Sequence, residues 1–276
     1  MTGDEACGHG RLQDKVCIVT GAGSPRGIGW ATTMRFAEEG ARHIYAADID
    51  TENFKALQET FEKTYKNSRV SLVEADVADE DAVKRLCDRA LAETGRLDVF
   101  FANAGTFDAK AASSDQISST AFFDTLRVNA GSAFLALKYA SPAIAQINES
   151  AGKVKASGSI IMTGSIGGLR GSRYPMAYCA SKAAIHNLAM TGAYENTARG
   201  TGVRVNAVAP GAVDTDVMLA ELKPLIKERP DVFCGPTEIA NTVVFLASDE
   251  SVFMNGQVVT VDNGLTNGLF VDKVLA

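Results

Sequence analysis

Cysteine is sparse in this 276-residue chain and never clustered. The five present, Cys7, Cys17, Cys87, Cys179 and Cys234, form no C-x-x-C pair, and the three histidines stand apart. That spacing excludes a zinc ribbon or a disulfide framework, so no metal is expected and a reducing compartment fits best. Basic runs are missing as well. The net charge is −6, from 33 acidic and 27 basic residues, which argues against nucleic acid as a partner. No apolar stretch approaches the ~18 residues that would cross a bilayer. The opening MTGDEACGHG is polar and lacks the apolar core of a secretory signal, so a cytoplasmic location without membrane contact is expected. There is no Pro/Gly/Ser-rich linker and no internal repeat, and residues 1–276 are read as one domain.

What the chain does have is an alternation of short β-branched runs and longer amphipathic ones. The strand-like runs are Val16–Thr20, Ile44–Ala47, Val70–Glu74, Leu97–Ala102, Ser159–Thr163, Val203–Val208 and Val258–Val261. Most are nearly continuous in hydrophobicity, as strands buried on both faces of a parallel sheet are. Between them, Trp30–Glu39 and Asp79–Thr94 have helical character. In the latter, Ala82, Val83, Leu86, Ala90 and Leu91 recur at helical spacing behind an Asp79 N-cap. The expected fold is α/β, a doubly wound, seven-stranded, mostly parallel sheet with helices on both faces. Residues 1–14 read as an N-terminal extension and 265–276 as a C-terminal tail. Residues 214–236 interrupt the rhythm and read either as a substrate lid or as a surface helix that simply packs.

The first strand runs into TGAGSPRGIG, with Gly21, Gly23, Gly27 and Gly29, and then into a helix. Glycines between strand and helix let the backbone approach a pyrophosphate, and the helix N-terminus offers free N–H groups to it. The next strand ends at Asp48, with Ile49 beside it, about twenty residues beyond the loop. A carboxylate there can accept bonds from ribose hydroxyls.

A second constellation lies in YPMAYCASKAA. Tyr178 and Lys182 are four residues apart, one turn on the same helix face. An ammonium beside a phenol is expected to lower the phenol pKa from ~10, making it an acid/base near neutral pH. Thirteen residues upstream, GSIIMTGSIGG places Ser165 just past a strand end, where a hydroxyl can orient a substrate oxygen or cap a turn.

These motifs and their order resemble the short-chain dehydrogenase/reductase family, from about Lys15 to Gly264. The resemblance implies a Rossmann fold and a set of roles. Tyr178 is the general acid/base, Lys182 lowers its pKa and bonds the nicotinamide ribose, and Ser165 holds the reacting oxygen. Asn129 supports a water that relays protons to Lys182. For the cofactor, the glycine loop including Ile28 holds the pyrophosphate. Asp76 and Val77 meet the adenine, and Asn103, Ala104 and Gly105 line the fourth strand's end. Pro210, Gly211, Val213 and Thr215 serve the carboxamide end. The family is commonly tetrameric, so a homo-oligomer is expected.

Compared with the family's usual loop, Pro25 and Arg26 read as a two-residue insertion. A basic residue before that glycine favours NADP, whereas the Asp48 carboxylate repels a 2′-phosphate. NAD is the expected cofactor, with NADP possible. The substrate pocket is expected to draw on Phe107, Ile166, Leu169, Tyr174, Met218, Leu219 and Leu222, with Arg170 and Arg173 as weaker candidates for a carboxylate. The expected activity is interconversion of a secondary alcohol and a ketone by hydride transfer. Alternatives are an NADPH-dependent 3-oxoacyl-thioester reductase and a non-catalytic nucleotide sensor on the same fold.

Overall fold

The computed structural model describes residues 10–107, 114–171, 174–216, 226 and 232–267. Among them, seven strands pair in one sheet. They are β1 (Val16–Thr20), β2 (His43–Asp48), β3 (Arg69–Glu74), β4 (Val99–Ala102), β5 (Gly158–Thr163), β6 (Val203–Pro210) and β9 (Val258–Val261). The order is β3-β2-β1-β4-β5-β6-β9 and every pairing is parallel, where the sequence suggested mostly parallel. The order reverses between β1 and β4. In such sheets a crevice opens there beyond the strands' carboxyl ends.

Alternation along each strand feeds two separate cores. Val16, Ile18 and Phe100 face one, with helices α3 (Glu80–Thr94), α5 (Ser132–Ala145) and α6 (Met176–Ala198). Cys17, Val19, Val99 and Phe101 face the other, with α1 (Ile28–Glu38), α2 (Phe54–Thr64) and α7 (Pro236–Ala247). Both sets of side chains are fully buried, which is why these runs look continuously apolar. The β4 ladder begins at Val99, not Leu97. Asp98 spends its carboxylate on the Val16 N–H (2.8 Å) and on Arg96 (2.8 and 2.9 Å), a polar knot below the sheet.

Local signals explain the helix ends. Asp79 accepts the Asp81 N–H and starts α3, and Gly95, in the left-handed region at φ +74°, stops it. Leu12 and Leu265 are both buried, Leu12 in the α1 core and Leu265 against Ile166 and Val232. Between β6 and α7 two short strands were not foreseen. β7 (Ala212–Val213) pairs in parallel with β8 (Phe233–Cys234) and closes the neck of the 214–236 excursion. Met218, Leu219 and Leu222, and also Arg173, lie outside the described residues.

Candidate active site

The carboxyl ends of six strands line one cleft of about 580 Å³. The β1–α1 loop contributes Gly21, Ser24, Gly27 and Ile28 to it. Gly21 has φ +72°, and a Cβ there would lie 2.8 Å from Asn103 Nδ2 and 2.9 Å from Ala104 Cα, so the turn requires glycine. Gly29 does not face the cleft wall. A Cβ on it would meet the Gly21 carbonyl at 2.1 Å, so its absence lets α1 approach the turn. Gly27 is the N-cap of α1, with no side-chain cap and no acidic residue in the first turn. The helix N-terminus therefore keeps its N–H groups and its positive end for an anion. A dinucleotide pyrophosphate fits this cradle.

On one side of the loop, Asp48 lines the cleft beside Ile49. Its carboxylate accepts the N–H groups of Gly23 (2.7 Å) and Asp50 (3.0 Å), which fixes it at the end of β2. Asp76 and Val77 follow from β3. At the centre, Asn103 ties three strand ends together. Its amide donates to the Thr20 carbonyl (3.0 Å), and its Oδ1 accepts from the Thr163 hydroxyl (3.0 Å). Ala104 and Gly105 continue the wall, and Pro210, Gly211, Val213 and Thr215 form it on the β6 side.

Tyr178, Lys182 and Ser165 meet in this cleft. Ser165 follows β5 and caps a short turn, accepting the Gly167 N–H at 3.1 Å, and its side chain shares the cleft with the Tyr178 phenol. Lys182 is buried. Its Nζ donates to the Thr163 carbonyl (2.8 Å) and lies 5.5 Å from the centroid of the Tyr178 ring. Burial pushes Lys182 down to about 8. Burial pushes Tyr178 up to about 12, against a smaller opposing effect of the Ser165 side chain. The expected lowering by Lys182 is therefore not seen. The amine is turned to a carbonyl and is itself only weakly held in its charged form.

Asn129 sits behind the cleft, in a π-helical turn (Arg127–Gly131) between α4 (Ser119–Leu126) and α5. Its amide donates to the Thr106 carbonyl (3.0 Å) and the Ser181 hydroxyl (2.9 Å), and its Oδ1 accepts the Thr106 N–H (2.7 Å). Both side-chain donors are committed to the protein, and the side chain anchors the loop after β4.

The comparisons with known proteins agree with this geometry. Residues 21–266 match a family profile described as enoyl-(acyl carrier protein) reductase. A 3-oxoacyl-[acyl-carrier-protein] reductase of Thermotoga maritima is 34% identical over 262 residues, covering 92% of this chain and 99% of that protein. A levodione reductase of Leifsonia aquatica is 32% identical over 267 residues, covering 92% and 95%. A crystal structure of a short chain dehydrogenase from Mycobacterium paratuberculosis bound to NAD superposes with a TM-score of 0.79 at 29% identity, covering 93% of this chain and 99% of that one. The chain belongs to the short-chain dehydrogenase/reductase family.

Within that family's frame, several sequence expectations need revising. Arg26 does not line the cleft wall. Its guanidinium pairs with Asp214 and lies 3.7 Å from Asp216, while the Ser24 hydroxyl donates to Asp216 at 2.6 Å. Ile166 is buried in a satellite cluster with Val232 and Leu265, and Leu169 is exposed; neither lines the cleft. Arg170 donates to the Leu265 and Thr266 carbonyls, so it braces the chain and is not turned to a substrate. Phe107 and Tyr174 do line the cleft, edge-on to the Tyr178 ring with centroids 4.8 and 5.9 Å away. The cleft residues Ser24, Arg127, Thr163 and Asp216 were missed. They carry no local motif, and only the fold brings them to the cleft. No group of three or more His, Cys, Asp or Glu among the described residues could hold a metal.

Proposed function

We propose that the protein is an NAD-dependent dehydrogenase that interconverts a secondary alcohol and a ketone. The observation that carries this reading is the meeting of Ser165 and Tyr178 in one cleft with the glycine loop and Asp48, with Lys182 one helical turn from the phenol. A bound nicotinamide supplies or accepts the hydride. Ser165 holds the substrate oxygen at the phenol. Tyr178 gives its proton to that oxygen as the ketone is reduced and takes it back in the other direction. Lys182 steadies the nicotinamide ribose. Asn129 keeps the Thr106 backbone in place beside them.

NAD is favoured over NADP because Asp48 is fixed in the cleft wall, where a 2′-phosphate would meet like charge, while Arg26 is engaged by two carboxylates. The edge-on rings of Phe107 and Tyr174 favour a compact, largely apolar ketone over a charged one. A homotetramer in a reducing cytosol completes the reading.

A panel of secondary alcohols and ketones with both nucleotide pairs tests the activity. Tyr178→Phe is expected to lose turnover and keep nucleotide binding; persistent turnover overturns the mechanism. Asp48→Ala is expected to raise NADPH use sharply, and an unchanged cofactor ratio overturns the NAD assignment. The similarity to a 3-oxoacyl thioester reductase supports a second reading. Including a 3-oxoacyl thioester in the panel separates the two.

A further inference from the structure

Composition left the three histidines without a role, yet His186 lies directly under the catalytic serine. It is on α6, four residues after Lys182 and eight after Tyr178, so all three share one helix face. Its ring is buried, and Nε2 accepts the Ser165 N–H at 3.3 Å. The Gly168 backbone lies against the ring and favours its protonated form. An accepting Nε2 requires a neutral imidazole with its proton on Nδ1.

The turn is pressed onto that ring with no side chain between. A Cβ on Gly164 would lie 2.3 Å from His186 Nε2. A Cβ on Gly168 would lie 2.6 Å from the Ala183 N and 2.9 Å from His186 Cε1. Ser165 is thus held from both ends of residues 164–168, and the direction of its hydroxyl follows from where that backbone sits.

We propose that His186 is a positioning residue: its neutral imidazole rivets the Gly164–Gly168 turn to α6, holding the Ser165 hydroxyl at the Tyr178 phenol, and protonation of the imidazole releases the turn. This rests on the catalytic reading of Tyr178 and Ser165. The groups facing the ring decide when release occurs. Its own helix presents the Lys182 amine. The turn presents the Ser165 N–H and the Gly168 backbone. β6 presents the Val208 carbonyl, already taken by the Gly164 N–H at 2.7 Å. Among the described residues no carboxylate contributes to the charge around the ring. Burial first, and Lys182 second, lower His186 to about 4, so the rivet holds at neutral pH and fails as the pH falls through that value.

The test compares His186→Leu with His186→Gln in the full chain. Gln sets an amide oxygen where Nε2 sits; Leu fills the space without an acceptor. His186→Leu is expected to lower kcat roughly ten- to hundred-fold, since small misplacements of reacting groups are that costly. NADH affinity, read by NADH fluorescence, is expected to stay within about two-fold. His186→Gln is expected to recover most of kcat. It is also expected to abolish the acid limb that the unmutated protein shows near pH 4, with folding followed in parallel by circular dichroism. Should His186→Leu not fold, the pH profile of His186→Gln decides alone. The inference is overturned if His186→Leu keeps full kcat, or if His186→Gln keeps the same acid limb. A Tyr178→Phe protein that still turns over would instead overturn the catalytic reading itself.

Discussion

At the scale of single residues, the phenol of Tyr178 is held protonated by burial, and its acidity sets the direction of the pH dependence. Ketone reduction needs the protonated form, which persists across the neutral range because Tyr178 is pushed up to about 12. Alcohol oxidation needs the phenolate, whose population rises tenfold per pH unit below that value. For oxidation, log kcat/KM is expected to climb about one unit per pH unit from about pH 6 to about pH 9, while that for reduction stays level over the same range. Initial rates in both directions across pH check this; a level oxidation profile would show that the phenol is acidified when the ternary complex forms. Asn129 gives a second residue-scale expectation. Asn129→Ala leaves the Thr106 N–H and carbonyl without their partner. Unfolding in urea is expected to show a loss of about 1–3 kcal/mol for each group left unsatisfied, and KM for NADH is expected to rise as the loop after β4 slackens.

At the scale of elements, the glycine loop and the start of the 214–236 excursion behave as one unit. The loop follows β1 and the excursion follows β6, and β4 and β5 separate these strands in the sheet. With strands about 4.8 Å apart, side chains from the two loops meet only by spanning about 14 Å of strand ends. Arg26 with Asp214 and Asp216, and Ser24 with Asp216, make that span across the crevice. The insertion of Pro25 and Arg26 thus supplies a strap. Arg26 is 54% exposed, and exposed pairs are each worth only ~0.2–1 kcal/mol. Arg26→Ala is therefore expected to weaken NADH and NADPH alike, by about two- to ten-fold in Kd, with the effect fading at high salt. Fluorescence titration with each nucleotide checks it. A loss confined to NADPH would mean that Arg26 reads the 2′-phosphate after all.

At the scale of the whole molecule, two apolar cores flank the sheet and hold the strand ends rigidly enough to define a cleft. Cys17 belongs to one core and Cys87 to the other. Burial pushes the Cys87 thiol up to about 12 and the Cys17 thiol higher still, so neither supplies a thiolate while folded. A thiol reagent counted by mass is expected to leave both untouched in the native protein and to modify both in denaturant. Labelling of either in native conditions would show that one face of the sheet opens. No helix among the described residues is long and apolar enough to cross a membrane.

The seven main strands were legible in the sequence to within about two residues. Burial on both faces leaves a continuous apolar run that needs no tertiary context to recognise. The glycine loop, Asp48, Ser165, Tyr178 and Lys182 were legible for a related reason: their chemistry depends on short spacings, a tight turn or one helical turn. The two-residue strands β7 and β8 were not, because their pairing joins residues twenty-one positions apart and rests on no pattern of their own. Nor was the partner of Arg26, which hinges on how two loops meet across the sheet. Nor was the acidity of Tyr178, because it depends on burial and on where the Lys182 amine points. His186 read as a lone histidine, and only the glycines that press the Ser165 turn onto its ring give it a task. The sequence by itself determined the sheet, the glycine loop and which residues are candidates for the reacting groups, all of which follow from local period and spacing. The tertiary structure alone decided what each of those groups touches, because hydrogen bonds and desolvation act over a few ångströms between residues far apart in the chain.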